Sequence, residues 1–313
     1  MNDCDVIIKK IKNKLESINL NIGDDLKLKL LSIIKKGILE KWYINIEELN
    51  IKKEILTSGC NSIIYDCEWR GLDIILKCIK KFNIKYLQEF INEINIFSTI
   101  RHPNAVEFLG LSLDIENLKI YILMEKINGD TLSNLLDKKI IKNKDKIIII
   151  KNIYNILFFL HNCKPSIIYR DLKPDNIMIY DNNKVKLLDF GLSKFMPENN
   201  SFKLSGDTGT LRYMAPEVYL KKNYYLEVDI YSFGLVIYYI YKNEKPFLDY
   251  NKENLDKYFN KQQDFKLNIR NKKIKDLILG CINFDIKQRS KLLEINDKLK
   301  NISKYDFSFF TFY

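Results

Sequence analysis

Apolar residues recur at helical spacing from the start of the chain: Ile7, Ile11, Leu15 and Ile18 predict one amphipathic helix. Residues 21–25 (NIGDD) break the pattern and offer an N-cap for a second helix, carried by Leu26, Leu30, Ile33, Ile34 and Ile38. Two such stripes predict a helical hairpin packed on the main body. From about 48 to 80 the period changes. Ile51, Ile55, Ile63, Ile64 and the run DIILKCIK read as strands, separated by the turn segments TSGCN and RGLD. Residues 84–100 return to helix, and within 106–125 the segments GLSLD and KIYILME give two more strands. After Gly129 helices dominate, apart from short strands around 177–188. The order predicts an α+β protein with a small β-rich lobe followed by a larger helical lobe.

The totals fit that picture. The chain has 313 residues, of which 46% are hydrophobic, enough for one two-lobed domain with an extension. The formal net charge is +11, but the lysines are spread along the chain and interleaved with acids, which reads as a solvated surface. Nucleic acid is therefore not the expected primary partner. The cysteines at 4, 60, 67, 78, 163 and 281 form no C-x-x-C pair, and there are only two histidines. No zinc-ligand spacing emerges, and the thiols suit a reducing interior. The apolar run 147–160 is interrupted by Lys151, Asn152 and Asn155, so it reads as a buried helix rather than a membrane span. The first residues lack the layout of a signal peptide, and the expected location is the cytoplasm.

Chemistry concentrates in residues 169–176, YRDLKPDN. Asp171 is a carboxylate that can accept or orient a hydroxyl proton, and Asn176, five positions on, offers an amide oxygen to a hard cation. Lys173 can neutralise a phosphate. Thirteen residues beyond Asn176 stands Asp189 in LLDFGLS, a carboxylate just after an apolar strand that suits a second magnesium ligand. A lone DFG means little; at this distance after RDLKPDN it is highly specific.

With these segments the chain resembles the eukaryotic-type protein kinase family over roughly residues 48–300. The resemblance implies Asp171 as catalytic base, Lys173 as the γ-phosphate contact, and Asn176 and Asp189 as ligands of Mg²⁺, or of Mn²⁺ in its place. Tyr169 stands where the family has His, a position that stacks beneath Phe190 and does no chemistry. GTLRYMAPE, 209–217, is similar to the end of an activation segment, Asp229 to the aspartate that braces the catalytic loop, and Arg289 to the arginine that pairs with Glu217. Upstream, Lys77 in DIILK matches the phosphate-contacting lysine, and Glu93 in FINEINIF its helix partner. Phe97, Phe108, Tyr169 and Phe190 are expected to form the hydrophobic column of the active state. Met124 becomes the gatekeeper, and residues 125–127, Glu125 to Ile127, the hinge whose backbone binds adenine. Ile64 above and Met178 below would border the base. Lys173 and Thr210 resemble the serine/threonine class, and KWYINIEELNI with EWRGLDIILK the tyrosine-kinase-like group. ATP and protein hydroxyls are the implied substrates.

Two departures stand out. The glycine-rich loop, aligned on Tyr65, reads Thr57-Ser58-Gly59-Cys60-Asn61-Ser62, and only its middle glycine survives. Glycines there let backbone close over phosphates without Cβ clashes. Ile75 replaces the usual alanine beside adenine and narrows the slot. These departures sustain an alternative, a pseudokinase acting as a binding or scaffolding module. Arg170 suggests control by a phosphate on Ser201, Ser205 or Thr208, or else a brace for the loop. The expected divisions are a helical extension at 1–47, a kinase domain at 48–302 with lobes at about 48–124 and 128–302, and a tail at 303–313. The extension, nearly balanced in charge, could steady the small lobe or dock a regulatory partner.

Overall fold

The computed structural model describes residues 3–17, 23–58, 62–79, 84–114, 116–117, 119–196, 211–261 and 265–307. The chain divides into two compact units: residues 1–101 with 106–127, and residues 102–105 with 128–313.

The first unit opens with helices α1 (Asp3–Ser17) and α2 (Asp24–Leu39). The N-cap of α2 falls within residues 21–25, as expected. Gly23 holds the N-cap of α2 without a side-chain bond, and Asp24 and Asp25 sit inside the first turn, where their charge favours the positive end of the helix. The apolar stripe of α2, with Leu30 and Ile34 fully buried, covers α3 (Ile84–Phe97) and the strand at Phe108–Asp114. A five-stranded antiparallel sheet follows, made of β1 (Leu49–Ser58), β2 (Ser62–Trp69), β3 (Leu72–Ile79), β4 (Phe108–Asp114) and β5 (Lys119–Glu125) in the order β1-β2-β3-β5-β4. Its period of two sorts side chains to opposite faces. Cys67, Ile74, Leu76, Cys78, Tyr121 and Leu123 form a core cluster on one face. The other face carries Ile75 and Lys77.

The second unit is built on α5 (Asn143–Asn162) and α7 (Glu227–Lys242). Every α7 residue from Val228 to Tyr241 is buried, as an all-round apolar helix requires. Around them lie α4 (Leu132–Asp137), α6 (Pro216–Tyr219), α8 (Lys252–Phe259), α9 (Lys272–Cys281) and α10 (Leu292–Lys300). Asn251 and Asn271 cap α8 and α9 with their side chains, and left-handed Asn243 closes α7. Short strands β8 (Ile177–Tyr180) and β9 (Lys184–Leu187) match the predicted pair. Sequence pattern missed β6 (Gly129–Thr131), which pairs with β8, and β7 (Ile167–Ile168), which pairs with β10 (Lys194–Phe195). Segments of two or three residues are too short to display a period.

Candidate active site

In the first unit, register places the predicted nucleotide residues together. Ile64 lies opposite Lys77 across β2 and β3, while Ile75 lies opposite Met124 across β3 and β5. Cross-strand partners share a face, so Ile64, Ile75, Lys77 and Met124 all project from the same side of the sheet. Lys77 reaches Glu93 of α3 at 2.6 Å, and both are buried. Glu125 projects from the opposite face, and its Oε1 accepts the Glu107 N–H at 2.7 Å. Any part it plays toward a base therefore falls to its backbone. Half-buried Ile127 follows β5. Lys126 between them was not foreseen as a structural anchor. Its ammonium donates to both oxygens of Asp66 on β2, at 2.8 and 2.7 Å, tying the hinge segment to the sheet. Gly59, Cys60 and Asn61 lie outside the described residues.

In the second unit, the loop between β7 and β8 assembles the polar set. Asp171 Oδ2 accepts from Lys173 Nζ at 2.7 Å and from Asn176 Nδ2 at 2.8 Å. Asn176 Nδ2 also donates to the Asp171 carbonyl at 2.9 Å. With Oδ2 so occupied, Oδ1 is the oxygen that, among the described residues, is left to take a hydroxyl proton. Burial pushes the Asp171 carboxyl above its usual range, with the Lys173 charge pulling the other way. Asn176 commits its nitrogen to Asp171, which turns its amide oxygen away from that carboxylate. Asp189 follows β9 and is exposed; its Oδ1 accepts the Gly191 N–H at 3.0 Å. Asn176 and Asp189 thus offer oxygen donors only, a set that fits a hard divalent cation. Met178 is half-buried on β8, opposite Lys186 and Thr131. Thr210 lies outside the described residues, as do Ser201, Ser205 and Thr208.

Beneath the loop sits Asp229, wholly buried at the start of α7. Its Oδ2 accepts the Tyr169 N–H at 2.8 Å and its Oδ1 the Arg170 N–H at 2.7 Å. His161 Nε2 stands 2.9 Å from Oδ2, a partner that sequence reasoning missed. The available signal was a polar residue beside the buried stripe of α5. Arg170 adopts a left-handed backbone (φ 70°), which costs a non-glycine residue on the order of 1–3 kcal/mol. Its side chain donates from Nε to the Leu192 carbonyl and from Nη1 to the Tyr224 hydroxyl, so here it braces the loop. Arg289 forks onto Glu217 at 2.6 and 3.0 Å. The expected aromatic contacts occur within each unit: Phe97 with Phe108 and Tyr169 with Phe190, each at 5.4 Å between ring centroids. Both pairs meet edge to face rather than stacked.

This order of parts is a sheet lysine paired with a helix glutamate, then a loop carrying a carboxylate and an amide ahead of DFG. Residues 51–299 match the family model for the protein kinase domain. The chain belongs to the protein kinase family. It is 30% identical over 275 residues to the serine/threonine-protein kinase VIK of Arabidopsis thaliana, covering 84% of this chain and 62% of VIK. It is 30% identical over 205 residues to the serine/threonine-protein kinase CTR1 of the same plant, covering 64% of this chain and 24% of CTR1. A Dictyostelium discoideum protein named a probable serine/threonine-protein kinase is 31% identical over 297 residues, covering 92% of this chain and 26% of that protein. The chain therefore spans less than two thirds of the length of each of these relatives.

Proposed function

We propose that the chain is an active serine/threonine kinase that transfers the γ-phosphate of ATP to protein hydroxyls. The observation that carries this reading is Asp171, with one oxygen held by Lys173 and Asn176 and the other left to a substrate. Asp171 Oδ1 orients the attacking hydroxyl and receives its proton. Lys173, beside it, balances charge on the transferred group. Lys77, held by Glu93, contacts the nucleotide phosphates. We assign Ile64, Ile75, Met124 and the backbone of Glu125 and Ile127 to recognition of the base, with Met178 as the family resemblance implies, and Gly59 to the phosphates. Asn176 and Asp189 hold Mg²⁺, or Mn²⁺, which when bound neutralises the phosphate oxygens. Thr210 completes the substrate side and, with Lys173, supports serine/threonine choice. The names of VIK and CTR1 point the same way.

The kinase domain runs over 48–302, between a helical extension at 1–47 and a tail at 303–313. A reducing, cytoplasmic location suits the free buried thiols of Cys67, Cys78 and Cys281. Burial pushes these thiols up, to about 11, 11 and 12, so they stay protonated and inert. Radiolabelled phosphate transfer to generic protein substrates tests the proposal. Asp171→Asn should lower the rate by about 10²–10⁴-fold. Equal incorporation by variant and wild type would overturn the catalytic reading and leave a binding module.

A further inference from the structure

Residues 42–44 join the helical extension to the sheet and lie outside the stretch that matches the kinase family model. They lie along the free edge of β4. The Leu111 N–H donates to the Trp42 carbonyl at 2.9 Å, and the Ile44 N–H donates to the Leu111 carbonyl at 2.8 Å. Tyr43 pairs with Leu111 in parallel. Two glycines make this approach possible. A Cβ on Gly110 would stand 2.4 Å from the Trp42 carbonyl oxygen, and one on Gly37 of α2 would stand 2.5 Å from the indole ring. The Trp42 N–H and the Tyr43 N–H both donate to the Gly37 carbonyl at 2.9 Å. The indole is buried, and its N–H donates to Glu40 at 2.9 Å. Helix α2, strand β4 and the backbone thus fix Trp42 from three sides.

From Trp42 a line of rings leads to the ion pair. The indole meets Phe108 edge-on at 5.4 Å, at the irregularity in β4 between Phe108 and Gly110. Phe108 meets Phe97 at 5.4 Å. Phe97 lies one turn beyond Glu93 on the same face of α3. A buried ion pair gains little net energy from its own attraction, because desolvation opposes it. The 2.6 Å contact of Lys77 with Glu93 therefore depends on whatever fixes α3 against the sheet. We propose that Trp42 is a positioning residue for the Lys77–Glu93 pair, acting through Phe108 and Phe97, so that the N-terminal extension is part of the phosphotransfer machinery. The proposal rests on the kinase reading above.

The test uses the full chain. Trp42→Ala and Trp42→Phe are compared with wild type in ATP titrations, at a temperature where circular dichroism shows each folded. Trp42→Ala should lose about tenfold or more in kcat/KM for ATP, within the range of intramolecular coupling, while Trp42→Phe stays within about threefold. A folded Trp42→Ala protein that keeps wild-type kcat/KM overturns the proposal. A second arm covers failure to fold. The chain has two tryptophans, and Trp69→Phe leaves Trp42 as sole reporter. Linkage is reciprocal, so Mg-ATP must change Trp42 emission with the same midpoint as nucleotide binding followed by equilibrium dialysis. Saturating dialysis with unchanged emission overturns the proposal. If wild type binds nucleotide yet transfers no phosphate, the kinase reading fails and the emission arm still decides the coupling.

Discussion

Asp229→Asn isolates what the buried carboxylate does for the catalytic loop. The substitution keeps the shape and exchanges one oxygen for an amino group. If the amino group takes the place of Oδ1, the Arg170 N–H faces a donor; if it takes the place of Oδ2, the Tyr169 N–H does. A neutral His161 can accept from the amide in the second orientation, so that one is preferred, and Tyr169 loses its acceptor. Either way one backbone N–H is orphaned at a site with no exposed surface, and the surviving bond is no longer to a charge. Hydrogen bonds to charged groups are worth about 1.5–3 kcal/mol, and an orphaned buried donor costs about 1–3 kcal/mol. Left-handed Arg170 loses support as well. The sum is a destabilisation of about 3–5 kcal/mol, the range for breaking a buried charged network. Asp171 follows Arg170 directly, so a shift of about 1 Å in the loop should cost about 10²-fold in transfer rate. Urea unfolding measures the first quantity, and single-turnover transfer by the folded fraction measures the second. A variant that keeps both the midpoint and the rate of wild type refutes the anchoring role.

Ile75→Ala should widen the space beside Met124, its cross-strand partner, and lower the KM for ATP by about threefold to tenfold. A rise in KM would mean that Ile75 packs on the base rather than obstructing it. Lys146 of α5 is buried with its ammonium 3.3 Å from the Tyr241 carbonyl, and burial depresses its pKa from 10.5 to about 8. The unfolded chain then binds more protons than the folded one between pH 8 and 10.5, so this group makes stability rise with pH through that window. Lys146→Met should raise stability at pH 7 by on the order of 2 kcal/mol, after allowance for solvent screening, and the advantage should vanish near pH 10.5. Urea midpoints at several pH values check it, and a constant difference across the series would show that the charge is not responsible.

The polar loop of the second unit could be read in the sequence because its chemistry is compressed into short segments. Asp171, Lys173 and Asn176 lie within six residues, and the structure finds them hydrogen-bonded to one another. Period-two alternation likewise foretold the sheet on which Ile64, Ile75, Lys77 and Met124 share a face. What escaped has no local spacing. Lys126 and Asp66 are 60 residues apart, and His161 and Asp229 are 68 apart. The role of Gly110 depends on the Trp42 carbonyl approaching it from far back in the chain, and no window around that glycine contains that information. Glu125 illustrates a subtler limit. Its place at the hinge was implied by the family resemblance, but which face its side chain takes depends on the register with Ile74.

The retained charges bear on activity through their cost. Lys77 and Glu93 are buried, Asp229 is fully buried, and the Glu217–Arg289 pair is nearly so. Well-packed apolar residues of similar volume in such places are often neutral or more stabilising, whereas loss of one partner alone is strongly destabilising. Folding by itself therefore gives no reason for Lys77 and Glu93 to face each other across α3 and β3. Phosphoryl transfer does, because it proceeds by positioning and charge neutralisation rather than by covalent work from the protein. The glycine-rich turn contributes differently. Glycines at such a turn supply close backbone approach, and a sequence that keeps one of them, with serine at position 62, alters that approach without removing a charge. On the proposed reading, fewer glycines there would weaken a hold on ATP in a graded way, whereas loss of Asp171 or Lys77 would remove a charge that phosphoryl transfer needs. A double replacement of Lys77 and Glu93 by Met and Leu separates the two demands. The pair's removal should leave the midpoint of urea unfolding level or higher while abolishing phosphate transfer, and a large drop in midpoint would show that the pair serves the fold instead.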